Sequence, residues 1–164
     1  MDKKIKNRLE ISEICDNVRD QLKIVTTNGC YDLLHLGHVN TFTLAKGYGH
    51  MLVVGVNSDE SIRRYKSPSR PVVPENDRAF MVASLGVVDY VVIFDEDTPV
   101  KLLDAIKPHY HIKSDAGYKG IERAIIETNG GRIITVPDLP GYSSGQLVRK
   151  AAEVYIRDVL QKEM

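Results

Sequence analysis

Thr26-Thr27-Asn28-Gly29-Cys30-Tyr31-Asp32-Leu33-Leu34-His35-Leu36-Gly37-His38 is the stretch on which the reading of this chain turns. It opens where a β-type apolar run, Ile24 and Val25, ends, and it leads into a helical pattern carrying Val39, Phe42 and Leu44. A strand, a tight polar turn and a helix start are therefore written consecutively. Such a junction aims backbone N–H groups and the positive end of a helix at one point, where an anionic phosphate binds well. His35 and His38 are three residues apart, so both imidazoles can donate to the same phosphate group. Gly37 between them has no Cβ and lets a ligand or another backbone come close.

Outward from this junction the chain alternates strand and helix patterns. Residues 23–27 form the first predicted strand, and the continuous apolar run Met51–Asn57 reads as a central one. Residues 88–94, 110–113 and 132–136 supply three more. Helical patterns fill the intervals at 75–85, 99–107 and 120–128, the second opened by Thr98 as N-cap with Pro99 at the first helical position. Pro68, Pro71 and Pro74 punctuate an irregular loop over 65–74 that carries Lys66 and Arg70. Gly141-Tyr142-Ser143-Ser144 caps a long C-terminal helix with apolar positions at Leu147, Val148, Ala151, Val154 and Ile156. Five parallel-type strands separated by helices predict an α/β, doubly wound, Rossmann-like sheet. A strand-order reversal beside the first strand would place the ligand crevice at that strand's carboxyl end, where the motif leaves it. Residues 1–22 read as an N-terminal extension, helical after Ser12 through Ile14, Cys15 and Val18, and 23–164 as the main domain.

Composition narrows the function. At 164 residues, 43% hydrophobic and 27% charged, the chain is long enough for one real core. Lys plus Arg equals Asp plus Glu at 22 each, a balance that argues against nucleic-acid or membrane-surface binding. Phosphate recognition then falls to a few local cations. Cys15 and Cys30 form neither a metal-ligand spacing nor a disulfide framework. Cys30 reads as a small residue whose backbone matters rather than as a nucleophile. No signal-peptide pattern and no bilayer-length apolar run is present, so a cytoplasmic location is expected.

The eleven residues Asn28–His38, with their His-x-Gly-His element, resemble the signature of the cytidylyltransferase-like nucleotidyltransferases. The likeness extends along most of the chain. Asn57-Ser58-Asp59, Arg70-Pro71-Val72-Val73-Pro74, Asp77-Arg78, Val88-Asp89 and Phe94-Asp95-Glu96-Asp97-Thr98-Pro99 are similar to the sugar-phosphate branch typified by D-glycero-β-D-manno-heptose 1-phosphate adenylyltransferase domains. Glycerol-3-phosphate cytidylyltransferases share the first motif but are more distant in the middle.

This resemblance implies transfer of AMP from ATP to a sugar phosphate, a heptose 1-phosphate above all, with release of pyrophosphate. The alternatives are CTP-dependent transfer to glycerol 3-phosphate or a related polyol phosphate, and a nucleotide-binding regulator without turnover. The resemblance gives His35, His38 and Lys66 catalytic roles, and Arg70, beside Lys66 on the loop, is expected with it on the substrate; Arg78 is expected to be catalytic on a separate ground. Arg78 sits near a helix start, where the dipole disfavours a cation, and a bound phosphate would relieve that conflict. The nucleotide is expected against Asn28, Gly29, Cys30, Tyr31, Gly37, Lys113, Asp115, Gly141, Tyr142, Ser143 and Ser144, besides the two histidines. Asp32 is expected to brace a turn by accepting backbone N–H groups. Magnesium is expected to accompany the triphosphate, with no carboxylate cluster marking a dedicated cage. A homodimer follows from the family. Two departures stand out: Ile112-Lys113-Ser114-Asp115-Ala116-Gly117-Tyr118 replaces Val-Lys-Gly-Gly-Asp-Tyr, and Asp138 stands where cytidylyltransferases carry arginine.

Overall fold

A computed structural model describes residues 2–162. After a short 3-10 turn at Asp2–Lys4, the elements are α1 (Arg8–Val18), β1 (Ile24–Gly29), α2 (Leu36–Lys46), β2 (Met51–Asn57), α3 (Asp59–Tyr65) and α4 (Glu75–Ala83). Then come β3 (Tyr90–Phe94), α5 (Val100–Ile106), β4 (Tyr110–Ser114), α6 (Arg123–Thr128), β5 (Arg132–Val136) and α7 (Ser144–Lys162). Among the described residues the five strands form one parallel sheet in the order β3-β2-β1-β4-β5. The strand order reverses at β1, which pairs with β2 on one side and β4 on the other. That reversal opens a crevice beyond the carboxyl end of β1.

All seven residues of β2 are buried, as a strand covered on both faces requires. The period of two deals them to opposite layers. Leu52, Val54 and Val56 meet Phe42 and Ala45 of α2 and Ala79, Val82 and Ala83 of α4. Met51 and Val53 meet Ile11 and Cys15 of α1 and Leu102 and Ile106 of α5. At Gly55 a Cβ would stand 2.9 Å from Leu102 Cδ2 and 3.2 Å from Asn28 Cβ, so the close approach of α5 and β1 needs glycine there.

The first helix starts at Arg8, ahead of the amphipathic pattern read after Ser12. Asn7 accepts from the Glu10 N–H while the Glu10 carboxylate accepts from the Asn7 N–H, a reciprocal capping box. Ile5 pairs with Val91 in a parallel bridge beside β3. The 99–107 helix also shifts: Pro99 takes the cap position and α5 begins at Val100, with no side-chain cap. His109 and His50 close the amino ends of the strands, each Nδ1 accepting a backbone N–H, from Ile24 and Lys23. His111 is fully buried, its Nδ1 2.8 Å from Thr26 Oγ1 across the β1–β4 pair.

Candidate active site

β1 hands the chain to Cys30 and then to Tyr31, which adopts a left-handed φ of 51°. The Tyr31 ring turns inward, packing edge-on against His38 and tilted against Phe42, each at 5.1 Å between centroids. Burial raises its phenol well above the ordinary range. His35 then takes the N-cap position of α2 in extended geometry without capping it through its side chain. Its ring is left to stack on His38 at 3.7 Å, 19° from parallel. Gly37 permits this: a Cβ there would lie 3.0 Å from both the His35 ring and the Tyr142 carbonyl. The expected close approach is thus made by another stretch of backbone.

Both histidines are shifted toward neutrality by burial, His38 to about 4 with His35 and Lys66 adding to the effect. The Nδ1 atoms of both are buried and meet no protein partner. Two neutral imidazoles at a helix start, both bordering the larger cavity, suit oxygen atoms of an incoming anion.

Two cavities meet at this pair. One, of about 340 Å³, is lined by His35, Gly37, His38, Lys66, Arg70, Asp138, Tyr142, Ser143 and Ser144 among others. The second, of about 160 Å³, is lined by Thr27, Asn28, Gly29, Tyr31, His38, Thr41, Lys113, Ser114 and Gly117. His38, Thr41 and Ser114 border both. Residues from distant parts of the sequence therefore converge beside the motif. Thr27, Thr41, Ser114 and Gly117 escaped the sequence reading. Thr41 had a usable signal, since it lies three residues after His38 on the same helical face.

The Lys66 loop is tied to the motif at both ends. Tyr65 Oη lies 2.6 Å from Cys30 Sγ. Asp32 Oδ1 accepts the N–H groups of Val72 at 2.7 Å and Val73 at 3.0 Å. Asp32 accepts backbone N–H groups as expected, but from a segment far along the chain instead of its own turn.

Four expected residues sit elsewhere. Arg78 is completely buried: Nε donates to Val73 O, Nη1 to the carbonyls of Cys30 and Asn57, and Nη2 to Asp59 at 2.6 Å. The charge conflict at the start of α4 is relieved by these acceptors, with no phosphate needed, and Arg78 borders neither cavity. Cys30 also lines neither cavity; its carbonyl is taken by Arg78 and its thiol by Tyr65. Asp115 is exposed on the turn after β4 and does not face the cleft. Gly141, at φ +82°, shapes the turn before Tyr142 without lining the cleft itself.

The two departures noted in sequence touch each other. Asp138 Oδ2 accepts the N–H of Ala116 at 2.9 Å, so the acidic residue braces the altered turn after β4. Among the described residues no cluster of three His, Cys, Asp or Glu side chains could hold a metal ion. None of the helices described there is long and apolar enough to cross a membrane.

The sheet order and the two joined cavities define a doubly wound α/β domain whose cleft is lined by histidine, lysine, arginine and hydroxyl side chains. The Cytidylyltransferase-like family pattern matches residues 26–151, a span containing the turn and both cavities. The Bifunctional protein HldE of Trichlorobacter lovleyi is 41% identical over 157 residues, covering 94% of this chain and 32% of that protein. HldE of Helicobacter pylori strain P12 is 46% identical over 132 residues, covering 80% and 28% respectively. The chain thus spans less than a third of the length of these two relatives. Among solved structures, a lipopolysaccharide core biosynthesis protein from Thermoplasma volcanium superposes with a TM-score of 0.64 at 27% identity, covering 72% of this chain and 98% of that one. A pantoate-beta-alanine ligase from Francisella tularensis, at 16% identity and a TM-score of 0.59 over 84% of this chain and 68% of its own, shares the fold. The chain belongs to the cytidylyltransferase-like family of nucleotidyltransferases.

Proposed function

We propose that this domain transfers AMP from ATP to a sugar phosphate, a heptose 1-phosphate, releasing pyrophosphate and forming an ADP-sugar. The observation that carries the reading is the stacked His35–His38 pair facing Lys66, Arg70, Ser143 and Ser144 across one cavity. The triphosphate lies in that cavity, between the two imidazoles and the start of α7. The nucleoside end enters the adjoining cavity at the strand-order reversal, beside Asn28, Gly29, Tyr31 and Lys113.

An oxygen of the acceptor phosphate attacks the α-phosphorus, and the bond from that phosphorus to the pyrophosphate oxygen breaks. Its electron pair leaves with pyrophosphate, so no covalent enzyme intermediate is needed. Charge accumulates on the α-phosphoryl oxygens and on the leaving oxygen, and fixed donors there lower the barrier. His35 and His38 supply neutral N–H donors, whereas Lys66 and Arg70 supply positive charge from the tethered loop. Arg78 acts through the positions of Cys30, Val73 and Asp59 and touches no reactant. The cleft offers no carboxylate cage for magnesium: Asp138 is turned to Ala116 and Asp32 to Val72 and Val73. Magnesium belongs to this proposal as an ion arriving bound to the triphosphate, and no step is routed through it.

The acceptor assignment rests on the relatives that carry the name HldE and on the similarity of the middle segments to the heptose branch. ATP over CTP rests on Asp138, which cannot donate to a triphosphate or a pyrimidine carbonyl where arginine would. A homodimer and a cytoplasmic location belong to the same proposal. The dimer is favoured by the exposed apolar residues of α7, including Val148, Val154, Tyr155 and Ile156, and sedimentation would read it directly. Pyrophosphate release, measured with ATP or CTP and a panel of sugar and polyol phosphates, tests the function. Release with CTP and glycerol 3-phosphate alone would replace it with the cytidylyltransferase reading.

A further inference from the structure

Behind the smaller cavity lies an ion pair between Lys113 and Glu122. Lys113 leaves the carboxyl end of β4 with its side chain only 11% exposed, and its Nζ stands 3.2 Å from Glu122 Oε1. The same ammonium donates to Asn28 Oδ1 at 3.1 Å. Glu122 is 5% exposed, and its second oxygen, Oε2, is buried without a protein partner. It occupies the cap position of α6, yet makes no capping hydrogen bond there. A carboxylate at a helix start ordinarily turns to the free N–H groups; this one is turned to Lys113.

Burying a carboxylate and an ammonium costs about as much as their attraction returns, so such a pair is weak evidence for stability alone. Its placement is informative. An ammonium has three N–H donors. One is given to Asn28, the ammonium stands in an ion pair with Glu122, and Lys113 lines the cavity at the strand-order reversal. Glu122 does not reach that cavity. We propose that Glu122 is a positioning residue for nucleotide binding: it holds the Lys113 ammonium against Asn28, so that an N–H not given to Asn28 meets an oxygen of the bound nucleotide. The inference rests on the placement of the nucleotide given under the proposed function.

A four-protein cycle tests it: wild type, Lys113→Met, Glu122→Gln and the double variant, each as the full chain, titrated with magnesium-ATP by calorimetry. Glu122→Gln keeps size and one acceptor oxygen but removes the charge. It should weaken ATP binding roughly tenfold, raising KM about as much while kcat falls less than threefold. Because Glu122 acts only through Lys113, the double variant should bind no worse than Lys113→Met alone. Should Glu122→Gln not fold, Glu122→Asp takes its place, with weakened binding again expected because the shorter stem draws the charge away. Wild-type ATP affinity in the Glu122 variant, or losses that multiply in the double variant, would overturn the inference while leaving the nucleotide site intact. A wild-type chain that binds no ATP would overturn the nucleotide placement itself, and the role of Glu122 with it.

Discussion

Asp32 Oδ1 accepts the backbone N–H of Val72 at 2.7 Å, joining the motif turn to the far end of the Lys66 loop across 40 residues of sequence. With Tyr65 held against Cys30 at the near end, the loop is a strap fastened twice to the turn that carries the histidines. Loops that bring charge to a site commonly close on ligand, and this one can move only between its two fastenings. Limited proteolysis near Lys66 should therefore slow when ATP and magnesium are added. Asp32→Ala should speed cleavage without ligand and weaken the protection. Equal cleavage with and without ATP in the wild type would exclude closure.

Arg78 makes a second prediction. Its buried guanidinium joins the ends of β1 and β2, the end of the loop and the start of α3, where Asp59 is partly exposed. Removing it leaves Asp59 unpaired and several carbonyls without donors. Breaking a buried pair from one side costs about 3–5 kcal/mol. Urea unfolding of Arg78→Met should show a loss of that size, with activity falling because the site loses shape. A variant with wild-type stability and abolished turnover would instead restore a direct catalytic role.

The acid side of the stability profile carries a third. His111, buried against Thr26, is pushed down to about 3 by desolvation, with Lys113 adding, and His38 to about 4. The unfolded chain binds these protons near pH 6.5, before the folded one does. The contribution of these two histidines is therefore fully present above that pH and is lost as pH drops toward 3. His111 alone should remove roughly 3 kcal/mol between pH 6.5 and 4. Thermal melts of His111→Gln, whose amide can still bond Thr26, should show a flatter acid limb than wild type. Parallel limbs would contradict the assignment.

Asp138 yields a fourth. It ties the turn after β4 to the segment before α7 through the Ala116 N–H. Because the bond is exposed, Asp138→Ala should change stability by no more than about 1 kcal/mol. It should nevertheless raise amide exchange at Ala116 and the KM for ATP several-fold. Unchanged exchange at Ala116 would show that the turn holds itself.

Much of this architecture was legible in sequence because its signals are local. The strand–turn–helix junction, the apolar run of β2 and the Gly37 gap each follow from neighbouring residues. Arg78 was misplaced because its partners are carbonyls at strand ends, up to 48 residues away, and no local pattern reports them. Asn57-Ser58-Asp59 resembled a family motif, and the structure spends it on architecture: Asn57 O and Asp59 receive Arg78, while Ser58 caps α3. The reciprocal pair Asn7 and Glu10 is a local signal for the start of α1 that the apolar pattern after Ser12 does not contain. Glu122 had no sequence signal at all, because its pairing with Lys113 depends on how α6 packs beside β4.

The central claim is that the stacked His35–His38 pair supplies transition-state donors to the triphosphate. Steady-state pyrophosphate release from ATP and a heptose 1-phosphate, compared between wild type and a His38→Ala variant with wild-type circular dichroism, tests it most directly. Removing one preorganised donor should lower kcat by roughly two to three orders of magnitude. An unchanged kcat in the folded variant would contradict the account.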